Sequence, residues 1–289
     1  MRLFVFGLGY TAQVISLRLL SEGWQIAGTC RSQEKKAALE AAGIRAFLFD
    51  ADRPLENTAS ALDGATHVLH SVPPGEAGDA VLMHHGQDIA ALEGLQWFGY
   101  LSTTGVYGDH QGGWVDESTP RTPAGPRGQR RADAELGWMA HYEQSGLPVH
   151  LFRLPGIYGP GRSALDSVRA GRTRRLFKDG QVFSRIHVED LASGVIASMK
   201  RPNPGSAYNL CDDEPAPPQD VTAFACDLLG LPVEPLTPIE EADLSPMARS
   251  FYGESKRVRN DKMKTELGVT LAYPTYRDGL RALLAKNGH

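Results

Sequence analysis

The sequence predicts an α/β protein: a doubly wound parallel sheet followed by a smaller C-terminal α/β subdomain. Three observations predict it. Short apolar strand patterns alternate with helical ones through the first half, and a glycine-rich turn joins the first strand to the first helix. Beyond residue 155, turn-rich stretches break the alternation into shorter segments. The chain has 289 residues, 42% hydrophobic and 22% charged, the composition of an ordinary globular protein with one large or two small domains. That excludes a disulfide miniprotein and a disordered chain.

Residues 3–6 are a short apolar run, Gly7-Leu8-Gly9 a tight turn, and Ala12, Ile15 and Leu19 recur at helical spacing until Gly23. Residues 25–29 read as a second strand, 32–42 as a helix closed by Gly43, 46–49 as a third strand and 67–71 as a fourth. A helix over 79–93 and a strand over 97–102 continue the pattern. Such alternation requires parallel strands joined by right-handed crossovers. Residues 105–128, rich in Gly, Pro, Asp and Thr, form a long loop after the fifth strand, where open parallel sheets bind ligands. A helix over 129–145 and a sixth strand over 149–154 follow. The expected division is 1–155 with 181–203 returning to it, and 156–180 with 204–289 as the smaller subdomain.

Charge and cysteine usage narrow the partners. A net charge of −4 gives no global positive field, so no nucleic-acid partner is expected. Cys30, Cys211 and Cys226 have neither close pairing nor zinc or redox spacing, which fits a reducing cytoplasm. Adjacent His84 and His85 point in different directions on a helix, so no metal is expected. Glycines and Arg18 interrupt the apolar start, which is read as a strand rather than a signal sequence, and no run approaches the roughly 18 apolar residues of a spanning helix. No membrane partner follows.

Gly7, Leu8, Gly9, Tyr10, Thr11 and Ala12 fit G-x-G-x-x-G/A between a strand and a helix. The first glycine makes the turn, the second lets backbone approach a pyrophosphate, and the small last residue lets helix and strand pack. The sheet is therefore expected to be Rossmann-like, with a dinucleotide at the helix amino terminus. Where an NAD-specific protein carries an acid after the second strand, this chain has Arg31 and Ser32. A guanidinium there pairs with a 2′-phosphate, which favours NADP; a solvated arginine closing the strand end leaves NAD open. Asp50, after the third strand, is a candidate contact on the adenine side.

Further motifs follow in order. Leu101-Ser102-Thr103-Thr104-Gly105-Val106-Tyr107-Gly108 is succeeded by Asp116-Glu117-Ser118-Thr119-Pro120, then by the run Arg153-Leu154-Pro155-Gly156-Ile157-Tyr158-Gly159-Pro160-Gly161. Ile186-His187-Val188-Glu189-Asp190 and Tyr208-Asn209-Leu210 come last. With the opening turn, this set resembles the extended short-chain dehydrogenases/reductases, the nucleotide-sugar epimerase and dehydratase group. Two features depart from that pattern. Phe6 stands where those proteins carry their first glycine and Ala12 replaces their last. Their Tyr-x-x-x-Lys aligns with Arg127-Gly128-Gln129-Arg130-Arg131, so both of its residues are replaced.

The resemblance implies that Thr103 orients the reacting oxygen. Arginine cannot replace the tyrosine as acid or base, because its pKa above about 12 keeps it charged. Arg127 is left to stabilise negative charge, and Arg131 to hold ribose or phosphate in the lysine's stead, unless both are merely a solvated face. Tyr107 and Tyr158 are the remaining proton donors if neighbouring arginines lower their pKa from about 10; packing is the alternative. Ser71 and Pro155 join the coenzyme contacts. The chain thus resembles the atypical, epimerase-like branch lacking the tyrosine-lysine pair.

Arg162, Arg169, Arg172, Arg174, Arg175 and Lys178 make a basic stretch suited to a diphosphate or carboxylate, or simply a solvated helix. Arg162 and Arg185, with Arg127, are the candidate substrate contacts. The expected function is an NAD(P)-binding, epimerase/dehydratase-like oxidoreductase acting on a small, anionic or nucleotide-sugar-like hydroxyl or carbonyl compound, and the resemblance implies a homodimer. A non-catalytic NADP(H)-binding or redox-sensing module is the alternative.

Overall fold

The computed structural model describes residues 1–173, 175–244 and 246–286. The chain divides into two compact units: residues 1–103, 126–153 and 192–208, and residues 104–125, 154–191 and 209–289.

The first unit is built on a seven-stranded sheet. In chain order its strands are β1 (Arg2–Phe6), β2 (Gln25–Cys30), β3 (Arg45–Leu48), β4 (His67–His70), β5 (Trp97–Thr103), β6 (Val149–Leu154) and β7 (Ser206–Asn209). Their spatial order is β7-β6-β5-β4-β1-β2-β3, and the β1/β2, β1/β4, β2/β3 and β4/β5 pairs are parallel. Order reverses at β1, the crevice where open α/β sheets receive ligands. The six anticipated strands lie within one or two residues of their expected bounds. β7 supplies a seventh beside β6, although Tyr208-Asn209-Leu210 was expected to serve the smaller subdomain. Its buried Tyr208 ring stacks 6.3 Å from Phe152 of β6, which explains why the segment joins this sheet.

The helices are α1 (Tyr10–Ser21), α2 (Gln33–Ala41), α3 (Thr58–Leu62), α4 (Ala80–Ala90), α5 (Pro126–Ser145), α6 (Ala164–Arg169), α7 (Val188–Lys200), α8 (Pro218–Leu228), α9 (Pro246–Phe251), α10 (Asp261–Leu267) and α11 (Tyr276–Lys286). Alternate residues Phe4 and Phe6 of β1 and Phe98 and Tyr100 of β5 bury against Val81 and Ile89 of α4 and Trp138 of α5. Each such side chain stabilises the fold by about 1.5–3 kcal/mol on the area scale. Asp79 caps α4, accepting from the Val81 and Leu82 amides, and also accepts from Trp138 Nε1 of α5 and pairs with His70 Nε2 of β4. Burial pushes its carboxyl up, but His70 and the donated hydrogen bonds outweigh that and hold it below its ordinary value.

In the second unit α6, α8 and α11 enclose Tyr158, Leu165, Val221, Ala225, Leu280 and Leu283. The stretch expected as a long loop is a short 3-10 turn, Thr104–Tyr107, then a two-residue strand, Trp114–Val115, paired in parallel with Arg257–Val258. Ser255 accounts for much of this order. Its amide donates to Asp109 Oδ1 (2.8 Å), and its carbonyl accepts from the His110 (3.1 Å) and Gly112 (2.9 Å) amides. Lys256 Nζ adds a bond to the Gly108 carbonyl at 2.6 Å.

Candidate functional site

The opening turn is tied to β2. Gly7 N–H donates to Thr29 Oγ1 and Leu8 N–H to Thr29 O, both at 2.8 Å, and Gly9 N–H closes on Gly7 O at 2.7 Å. Gly7 has φ +86°, and a Cβ there would meet Val72 Cγ2 at 2.9 Å, so glycine is required for both conformation and space. Gly9 differs: a Cβ would approach no atom nearer than Gly7 O at 4.0 Å. Among the described residues no packing contact demands a glycine there, whereas a ligand lying on the backbone would. Gly9 is also the N-cap of α1, with no side-chain cap and no acid in the first turn, so the first turn itself sets no negative charge against the positive end of the helix dipole. These features fit a dinucleotide pyrophosphate. Tyr10 is half-buried and Thr11 buried behind the turn.

Around the end of β2 the charges are interlocked. Ser32 caps α2, its Oγ accepting from the Lys35 amide at 3.2 Å, and Arg31 is exposed. Arg53 Nη2 donates to Arg31 O (2.9 Å) and to Asp50 Oδ2 (2.7 Å). Asp50 is thereby engaged by an arginine, and Arg53 joins Arg31 in a basic corner. Sequence reasoning missed Arg53, which stands on a loop 22 residues away with no motif around it. Ser71 extends the β4/β1 pairing, its amide donating to Phe6 O at 2.9 Å.

At the far end of β5, Thr103 is the last strand residue and is half-buried. Its neighbour Ser102 donates to Glu135 Oε1 at 2.6 Å, and Glu135 pairs with Arg153 at 2.9 Å, all three side chains being buried. Glu135 is a second residue that sequence reasoning missed, one turn of helix beyond Arg131 on the same face. Arg127 is exposed in the first turn of α5; Arg131 is half-buried, donates to Leu101 O and lies 5.8 Å from the Tyr100 ring.

The remaining candidates belong to the second unit. Tyr107 is fully buried and donates to Asn209 Oδ1 at 2.8 Å. Tyr158 Oη makes a long contact of 3.5 Å with Thr275 O. Burial, then Asp212 and Asp190, push its hydroxyl above its ordinary value. That overturns the expectation that arginines would lower it: Arg185 does act in that direction, but desolvation and the two carboxylates win. Tyr158, Arg162 and Arg185 come together as lining of one cavity of about 380 Å³, with Arg172 beside them. Pro155 is half-buried after β6. Arg169 is exposed elsewhere, Arg175 donates to Glu234 O and Lys178 to Tyr252 O, and Arg174 lies outside the described residues. His187 is buried, accepts from the Glu189 amide and is pushed down to about 4 by burial, so it is neutral. Among the described residues no cluster of three or more His, Cys, Asp or Glu could hold a metal, and no helix is long and apolar enough to cross a membrane.

The model of the NAD dependent epimerase/dehydratase family matches residues 4–211. Protein YeeZ of Escherichia coli (strain K12) is 28% identical over 282 residues, covering 93% of this chain and 95% of that protein. dTDP-glucose 4,6-dehydratase of Streptomyces antibioticus is 27% identical over 195 residues, 61% of this chain and 56% of that one. Among solved structures, a functionally unknown conserved protein from Silicibacter pomeroyi DSS superposes with a TM-score of 0.91 at 52% identity, covering 100% of this chain and 99% of that one. UDP-glucuronic acid 4-epimerase from Bacillus cereus, in complex with NAD, shares the fold with a TM-score of 0.78 at 16% identity, each chain covered to 99%.

Proposed function

This chain belongs to the NAD dependent epimerase/dehydratase family, and from that premise we propose that it is an NADP-dependent oxidoreductase or epimerase-like enzyme. Its substrate is a small hydroxyl or carbonyl compound, anionic or nucleotide-linked. The observation that carries this reading is the Gly7–Gly9 turn between β1 and α1, where Gly9 leaves the backbone open to close approach by a ligand. When bound, the coenzyme accepts or supplies hydride. Gly7, Leu8 and Gly9, whose amides already donate within the chain, shape the turn on which its pyrophosphate rests at the amino terminus of α1, with Tyr10, Thr11 and Ser71 at the edge. Arg31, Ser32 and Arg53 receive the 2′-phosphate beside Asp50, Arg131 holds ribose, and Pro155 adds a backbone contact.

Thr103 orients the reacting oxygen. Of the two tyrosines, Tyr158 is the better proton donor, since Tyr107 already spends its hydroxyl hydrogen on Asn209. Burial raises the Tyr158 pKa and makes it a weaker acid than a free tyrosine, so this choice rests on its hydroxyl making one long contact rather than on its acidity. Arg127 stabilises negative charge. The relatives named dTDP-glucose 4,6-dehydratase support a nucleotide-linked sugar as substrate class. The alternative, a non-catalytic NADP(H)-binding or redox-sensing module, draws on the arginines at 127 and 131, but it needs a movable 105–128 loop, and Ser255 and Lys256 tether that loop.

We further infer a cytoplasmic homodimer. Met83 of α4 and Leu136 of α5, each 54% exposed on helices that pack together, support an apolar dimer face. The decisive assay titrates NADPH and NADH, then offers nucleoside-diphosphate sugars while nicotinamide absorbance and epimerised products are followed. Binding of neither coenzyme, or no product from any sugar, would remove the enzyme reading.

A further inference from the structure

The carboxyl groups of Asp190, Asp212, Asp213, Glu214 and Asp278 lie around Tyr158 and Arg185 in the second unit. Asp190 accepts from the Ala272 (2.7 Å) and Tyr273 (2.9 Å) amides, and Asp278 from the Thr275 amide (3.1 Å) and hydroxyl (2.6 Å). Asp213 pairs with Lys264 at 2.6 Å and Glu214 with Arg277 at 3.0 Å. Such partners suit a charged carboxyl. Asp212 differs: it is 1% exposed, and neither of its oxygens has a hydrogen-bond partner of ordinary geometry among the described residues. Arg185 is close, but its Nη1 is engaged by the carbonyls of Phe183 (2.8 Å) and Ala216 (3.0 Å).

The backbone brings this unbonded carboxyl to the Tyr158 hydroxyl. The strands Gly156–Tyr158 and Arg185–His187 run in parallel with His187 opposite Tyr158, and the Asp212 amide donates to Arg185 O at 2.7 Å. Asp213 N–H donates to Pro274 O at 2.8 Å, and the Tyr158 hydroxyl approaches the next carbonyl, Thr275 O, at 3.5 Å. Both residues thus converge on the turn ahead of α11. That helix encloses the hydroxyl, since a Cβ at Gly279 would lie 2.2 Å from its oxygen. In such an enclosure charges act on one another with little screening. Among the charged neighbours Asp212 acts on Tyr158 most strongly, ahead of Asp190, Arg185 and Asp278.

We propose that Asp212 acts through Tyr158: its buried, unbonded carboxyl decides by its charge how readily the Tyr158 hydroxyl releases its proton. Burial, partly opposed by Arg185 and the Glu214 amide, lifts that carboxyl to about 8, so at neutral pH it is mostly uncharged. In carbonyl reduction the Tyr158 O–H bond breaks and its proton passes to the carbonyl oxygen while the carbon receives hydride from reduced nicotinamide; solvent then returns a proton to the phenolate. An uncharged Asp212 leaves the phenolate to the attraction of Arg185, whereas a carboxylate opposes it. Reduction therefore slows as pH rises through about 8. His187, its ring edge-on 5.2 Å from Tyr158, is neutral throughout that range. That the proton goes to a substrate rests on the enzyme reading; the coupling of the two side chains does not.

The test places 3-fluorotyrosine, more acidic than tyrosine, at position 158 of the full chain and follows its fluorine resonance against pH. A step is expected near pH 8, as Asp212 gains charge, before the ring itself ionises. Asp212→Asn, which keeps the shape of the uncharged acid, removes the step and makes the ring about tenfold or more acidic. Asp213→Asn, which strips a charge from the exposed neighbour, leaves the ring unchanged. Absence of the step, or an equal response to both variants, overturns the proposal, and the wild-type step is readable even where a variant fails to fold. With a carbonyl substrate from the assay above, kcat of the unlabelled protein falls through about pH 8 and loses that limb in Asp212→Asn; a limb that survives the substitution also overturns the proposal. A coupled Tyr158 in a protein that turns over no sugar upholds the coupling and defeats only the enzyme reading.

Discussion

Glu135 of α5 and Arg153 of β6 form an ion pair at 2.9 Å with side chains 0% and 6% exposed, and Ser102 of β5 donates to the same carboxylate. Two strands and a helix are thereby joined beside Thr103. Isolated in an apolar interior each charge would be costly, so the pair acts mainly to fix position. Removing one partner, in Glu135→Ala or Arg153→Met, is expected to cost about 3–5 kcal/mol by urea unfolding. The double variant Glu135→Leu, Arg153→Met should recover much of that loss. Additive losses would show that the two side chains are not coupled.

Coenzyme choice is testable at Arg31 and Arg53. Loss of either guanidinium, in Arg31→Ala or Arg53→Ala, should weaken NADPH binding about tenfold or more while leaving NADH binding nearly unchanged, read by nicotinamide fluorescence. Gly9→Val should abolish both without unfolding the protein, since its side chain would enter open space. If Gly9→Val retains coenzyme affinity, the cradle lies elsewhere.

The two tyrosines should separate by assay. Tyr158→Phe is expected to lower kcat at least a hundredfold with little change in thermal midpoint, because its hydroxyl makes one long contact. Tyr107→Phe should do the opposite, costing about 1 kcal/mol through the lost Asn209 bond while turnover survives. The reverse pattern would move the proton donor to Tyr107.

Stability should fall in mild acid. Burial holds His67 and His150 down to about 4, against 6.5 when unfolded; His187 behaves alike in the other unit. A depressed histidine contributes stability above 6.5 that is lost as pH falls toward 4, at most about 3 kcal/mol each. Asp212, raised to about 8, works oppositely: its contribution is complete below 3.8 and lost as pH rises through 8. Between 4 and 6.5 the three histidines outnumber it, so the urea midpoint should drop on acidification. His150→Asn should make that dependence shallower by about one proton, and a midpoint indifferent to pH in this window would contradict the burial argument.

Local patterns in the chain were enough for the alternating strands and helices and the Gly7–Gly9 turn, because apolar periodicity and glycine stereochemistry act between residues close in sequence. So was the family, through motifs spread from residue 3 to about 210. What required the folded chain was every relationship across long separations. Arg53 beside Arg31, Glu135 between Ser102 and Arg153, β7 beside β6 and the tethering of the 105–128 loop by Ser255 carry no local signature. The same holds for Tyr158. Arginines nearby in sequence suggested a lowered pKa, yet burial and two carboxylates from distant segments raise it. Desolvation is a property of enclosure, and enclosure exists only once the chain has packed.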